Sequence, residues 1–166
     1  MIKNSLNFIC PTDCLEPIIN DAFTQENYYY SSLGNSITFD SKVVYQLEKL
    51  IRKRNIKEIS FVLSSDNRIV LDALGNQDFS DVRGLGNFYK KVILQKEQIG
   101  LTWKIWDRPS LLLSYHLNKK IRELKLELND YAIDQLSISG KIYNRQEDLF
   151  TDIYPDVVCM DYASVN

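Results

Sequence analysis

An α/β fold, with a mainly parallel central sheet flanked by helices, is the class this sequence predicts. Three observations lead there. Short apolar runs alternate with stretches of helical periodicity, in the order strand, helix, strand, helix, strand, helix, from Ser5 to Leu74. Hydrophobic residues make up 45% of the chain and charged residues 25%, which are ordinary globular values. The 166 residues, 1–166, suit a single domain with one continuous core.

Ser5 to Cys10 (SLNFIC) reads as a short buried strand ended by Pro11. TDCLEPIINDAF follows as a turn and a short helix, with Pro17 in the first turn, where a missing N–H is tolerated. The aromatic content of Asn27 to Ser32 (NYYYSS) predicts a second strand, closed by a loop at Gly34-Asn35. Asp40 or Ser41 can cap the next helix, whose apolar stripe is Val43, Val44, Leu47, Leu50 and Ile51. Ile56 to Leu63 gives a third strand, and Arg68 to Leu74 a short helix. In the second half, Gly84 to Gln95 predicts a helix. Pro109 opens a long one striped by Leu113, Leu117, Ile121, Leu124 and Leu128. Ile133 to Tyr143 alternates like a strand, Asn144 to Asp148 turns, and Leu149 to Tyr154 is extended. No repeat, low-complexity tract or linker interrupts the series.

Twenty basic against twenty-two acidic side chains leave a net charge of −2, which supplies no field suited to nucleic acid or an anionic membrane. The basic clusters Arg52-Lys53-Arg54 and Lys119-Lys120 lie on predicted helices with acidic neighbours and read as solvated faces. No run approaches the roughly 18 apolar residues of a membrane span. The stretch before Cys10 is too short for a signal peptide. Three cysteines argue against a disulfide scaffold, so a cytoplasmic location is expected.

Loops at the carboxyl ends of strands are where open α/β sheets place their ligands. Two such loops stand out, CPTDCLEP after the first strand and LSSDNR after the third, with YYYSSLGNSI between them. This order and spacing resembles the β-class carbonic anhydrases. In that family a first strand ends in Cys-x-Asp-x-Arg followed by Asp-Pro. A second leads to Asn-Ala-Gly-Asn, and a third ends in Gly-His-x-x-Cys-Gly. Cys10 falls on the first zinc-binding cysteine, Glu16-Pro17 on Asp-Pro, Gly34-Asn35 on Gly-Asn, and Ala73-Leu74 on the Ala-Leu that closes the third helix. ISGKIYN matches the late strand and turn. The resemblance covers most of the chain and is strongest from Ser5 to Leu74.

The departures carry the functional expectation. Ser64 stands at the zinc-binding His position and Asn67 at the second zinc-binding Cys position, while the catalytic Asp and Arg fall on Thr12 and Cys14. With so few residues before Cys10, the N-terminal arm that wraps the family's dimer partner is expected to be missing. A catalytic zinc needs three protein ligands, and the neutral oxygens of Ser64 and Asn67 compete poorly for it. A rearranged set of Cys10, Asp13 and Cys14 would need a fourth ligand from elsewhere. Without metal the hydration of carbon dioxide loses its nucleophile.

The expected function is therefore a non-catalytic, metal-free relative with no cofactor, serving as a small-ligand, anion-binding or protein-interaction module. Its candidate cleft comprises Cys10, Thr12, Asp13, Cys14, Gly34, Asn35, Ser64, Ser65, Asn67 and Arg68. Ser64, Ser65 and Asn67 can present polar groups to a small anion at a helix N-terminus, with Arg68 adding charge, or can simply cap that helix. The partner is expected to be a small anion or a protein. No nucleic acid or membrane is expected, and the chain is a weak homodimer or a monomer, the dimer favoured by the aromatic Tyr28-Tyr29-Tyr30 strand. The alternative is an active enzyme, either a zinc carbonic anhydrase with an unusual site or a cysteine enzyme using Cys10. His116 reads as a structural or surface histidine, and Cys159 as core or incidental.

Overall fold

The computed structural model describes residues 3–99, 108–129, 134–157 and 159. Among the described residues the chain runs through β1 (Asn4–Ile9), α1 (Glu16–Ala22), β2 (Glu26–Ser31), α2 (Ser41–Lys53), β3 (Ile56–Ser64), α3 (Arg68–Leu74), α4 (Leu85–Ile99), α5 (Arg108–Glu127), β4 (Ser137–Asn144) and β5 (Leu149–Asp152). Short 3-10 turns at Pro11–Asp13 and Leu33–Asn35 follow β1 and β2.

The strands form one sheet in the order β2-β1-β3-β4-β5, parallel except for the β4–β5 pair. From β1 the chain moves outward to β2, then returns to place β3 on the other side of β1. The strand order thus reverses between β1 and β3, and a crevice opens at their carboxyl ends. That is where Cys10 and Ser64 lie, at the ends of two neighbouring parallel strands, as the sequence predicts.

Alternation along the strands divides the core. Leu6, Phe8, Phe61 and Leu63 face a large cluster shared with α2 to α5, while Ile9, Val62 and Tyr143 face a smaller one under α1. Aromatic rings fill the centre of the larger cluster. Phe8 stacks on Phe61 with centroids 4.6 Å apart, and Phe39 meets both edge-on. Asp40, not Ser41, caps α2, accepting from the Val43 N–H at 2.9 Å.

Two expectations change at this level. The strand expected from Ile133 begins at Ser137, with Asp134 in a helical turn; Ile133 lies outside the described residues. The last extended run shortens to four residues at the sheet edge. The three tyrosines of β2 are half-buried at the sheet edge, each with a partner within the chain. Tyr30 packs on Phe8, Tyr29 donates to Asn20 at 2.7 Å, and Tyr28 donates to Glu26 at 2.5 Å under the Arg54 guanidinium. No helix among the described residues is long and apolar enough to cross a membrane.

Candidate functional site

β1 ends at Ile9 because Pro11 cannot donate to a ladder, and the chain turns tightly through Pro11–Asp13 into a left-handed Cys14. This turn sends its three polar side chains in different directions. The Cys10 thiol is fully buried, 3.1 Å from the Thr12 hydroxyl, and accepts the Gly34 N–H at 3.1 Å. Cys14 is exposed, its thiol donating weakly to the Pro11 carbonyl at 3.7 Å. Asp13 turns inward toward β3, 2% exposed.

Asp13 is the hub of the crevice. One carboxylate oxygen accepts the Ser64 N–H at 2.9 Å, and the other accepts the Asn67 side-chain amide at 2.9 Å. Burial pushes its carboxyl above the ordinary value, against those two hydrogen bonds and the nearby Arg145 charge. The Arg145 guanidinium donates to the Asp13 carbonyl and reaches Asp66 at 3.3 Å, while the Ser64 hydroxyl donates to Asp66. Asn67 completes the set as the N-cap of α3, its side-chain oxygen accepting the Val70 N–H at 2.9 Å. Ser64, Asp13 and Asn67 are thereby tied to one another.

The residues grouped from the sequence separate in space. Thr12, Asp13, Cys14 and Arg68 line an open cleft of about 260 Å³ with Asp66 and Arg145. Cys10, Gly34, Asn35, Ser64 and Asn67 are buried behind it. Asn35 is structural, its amide bridging the carbonyls of Phe8 and Val62 at 3.2 and 3.1 Å and so joining β1 to β3. Ser65 leaves the cleft for a separate cavity bordered by Ser114 and Tyr154. Of the polar groups expected to receive an anion, Asn67 caps α3 and the Ser64 hydroxyl donates to Asp66. Arg68 is exposed and forms no ion pair among the described residues.

Besides Asp66, the sequence reading missed two residues of the crevice and one that adjoins it through Gly34. Arg145 and Tyr143 come from the end of β4, where Tyr143 pairs with Ser64 in the ladder. The signal available was the match of ISGKIYN to the late strand and turn, which places its end beside the third strand. His116 was reachable only through the tertiary structure. It is buried on α5, its Nε2 2.9 Å from the Gly34 carbonyl, so Gly34 touches Cys10 on one side and His116 on the other. Burial pulls the His116 pKa down to about 4, leaving a neutral ring.

The donor set does not suit zinc. The positions matched to the three family ligands supply one thiol, one hydroxyl and one amide, and that thiol already accepts a backbone N–H. The nearby carboxylate of Asp13 is held by Ser64 and Asn67. No group of three or more His, Cys, Asp or Glu among the described residues is arranged to hold a metal ion.

No protein-family profile matches the chain, and no curated protein does. Solved structures do. The β-carbonic anhydrase CafA of Aspergillus fumigatus superposes with a TM-score of 0.71 at 17% identity, over 96% of this chain and 81% of that one. A structure from a study of two tetrameric β-carbonic anhydrases of Sordaria macrospora gives 0.71 at 13% identity, over 92% and 81%. The Coccomyxa β-carbonic anhydrase, solved with acetazolamide, gives 0.67 at 15% identity, over 100% and 86%. With its β2-β1-β3-β4-β5 sheet and its crevice at the β1 and β3 ends, the chain has the β-carbonic anhydrase fold.

Proposed function

We propose that this protein is a metal-free, non-catalytic binding protein built on the β-carbonic anhydrase scaffold. The observation that carries the reading is the bonding of Asp13 to the Ser64 N–H and the Asn67 amide. This buried carboxylate ties the Ser64 backbone and the Asn67 side chain, at two positions matched to zinc ligands, into one network within the chain. The enzyme alternative built on Cys10 gains no support, because a nucleophile must meet its substrate and this thiol is 0% exposed. Its three cysteines are free thiols, which suits a reducing, cytoplasmic setting. With the tyrosines of β2 bonded within the chain, the expected assembly is a monomer or a weak homodimer, and sedimentation at micromolar concentration distinguishes them from a stable tetramer.

The test is metal analysis of the purified protein together with a carbon dioxide hydration assay on the same sample. The expected results are no stoichiometric zinc and no hydration above background. One tightly held zinc per chain, or measurable turnover, overturns the reading. Ser64→His with Asn67→Cys should create zinc affinity with Cys10 as third ligand. Its hydration activity should stay weak, because Thr12 and Cys14 do not restore the family's Asp–Arg pair.

A further inference from the structure

A second cavity lies away from the crevice, between the end of β2, the segment leading into α2, and the facing sides of α4 and α5. Its volume is about 680 Å³, within the range of small-molecule sites. The rim is strongly cationic. Lys90, Lys91, Lys119 and Lys120 line it against a single acid, Glu123, which already pairs with Lys120 at 2.9 Å. Lys90, Lys91 and Lys119 have no ion-pair partner among the described residues.

The wall carries a second feature. His116 and Gln95 both line the cavity, 3% and 2% exposed, and each holds a buried polar atom with no hydrogen bond, Nδ1 and Oε1 respectively. Because a carbonyl can only accept, the contact with Gly34 places the His116 proton on Nε2 and leaves Nδ1 a bare acceptor. Buried polar atoms are nearly always satisfied, so two unmet acceptors in one wall call for a molecule that brings hydrogens. The lysines call for negative charge, which their ammonium groups meet well as phosphate. An inorganic anion satisfies only the rim, and an uncharged polyol only the wall.

We propose that this cavity binds a small phosphate ester with free hydroxyl groups, its phosphate held by Lys90, Lys91 and Lys119 and its hydroxyls donated to Gln95 and His116. The site is separate from Cys10, Ser64 and Asn67, so it stands whichever way the zinc measurement falls. Calorimetric titration of the full chain with glucose 6-phosphate and ribose 5-phosphate, beside glucose and inorganic phosphate, tests it. At least one ester should bind one per chain, about tenfold or more tighter than inorganic phosphate, with glucose silent. Lys90→Ala with Lys91→Ala should weaken the ester about tenfold or more, as should Lys119→Ala, while Lys42→Ala on the exposed side of α2 changes nothing. Gln95→Leu should erase the preference for ester over inorganic phosphate while leaving phosphate affinity in place. Lys90 and Lys91 are exposed, so their variants should keep the fold, which circular dichroism verifies. The proposal falls if neither ester saturates by about 10 mM, if inorganic phosphate binds as tightly, or if the lysine variants bind unchanged.

Discussion

Two regions meet at Gly34 and differ in what they do with their polar groups. On one side, the crevice at the ends of β1 and β3 binds them inward: Asp13 to Ser64 and Asn67, Ser64 to Asp66, Cys10 to Gly34. On the other, the cavity between α4 and α5 has three lysines with no ion pair and two buried acceptors unmet among the described residues. The first arrangement uses its hydrogen bonds to hold loops together, and the second leaves buried acceptors without a partner. One fold thus carries a region whose polar groups are bonded within the chain beside a cavity with unmet ones.

Breaking the shared point should have the largest effect. Gly34 has φ +62°, and a Cβ placed there would lie 2.8 Å from the Phe88 ring. Gly34→Val combines left-handed strain with overpacking, so a loss of about 4 kcal/mol is expected in urea denaturation. A loss below about 1 kcal/mol would mean that Phe88 and the turn yield easily, and that the two regions are not held to each other here.

His116 sharpens the cavity side. Burial depresses its pKa from 6.5 to about 4, so the unfolded chain binds the extra proton between those values. The sign follows from linkage: this contribution is fully present above pH 6.5 and is lost as pH falls toward 4, by up to about 3 kcal/mol. In His116→Gln, whose amide can still donate to Gly34, urea midpoints between pH 7 and 4.5 should fall less steeply than in the native chain. Parallel slopes would place the proton elsewhere.

A smaller effect is expected from Asp13→Ala in the crevice. It strands the Ser64 N–H and the Asn67 amide but also removes a carboxylate that is costly to bury, for a net loss of about 2 kcal/mol. A neutral or stabilising result would show that the Asp13 network is not what holds the ends of β1 and β3 together. At the low end, Cys14→Ser and Arg68→Ala alter only the exposed cleft. Each should change stability by less than about 0.5 kcal/mol in the same assay.

Periodicity and punctuation in the sequence determined the elements of the first half almost to the residue. Pro11 ended β1, the aliphatic run made β3, and α3 runs from Arg68 to Leu74 as expected, because these features act over a few neighbouring residues. The motif order from Cys10 to Leu74 likewise carried the fold and the adjacency of Cys10 and Ser64. The directions of side chains were not legible. Cys10, Asp13 and Cys14 share one turn, yet one thiol enters the core, one faces solvent and the carboxylate crosses to β3. Arg145 reaches Asp13 across 132 positions and His116 reaches Gly34 across 82, separations to which no local pattern is sensitive. Local propensity depends on near neighbours and is written in the chain. Hydrogen-bond partnership and cavity charge depend on which distant segments the sheet order brings together, and only the tertiary structure decided those.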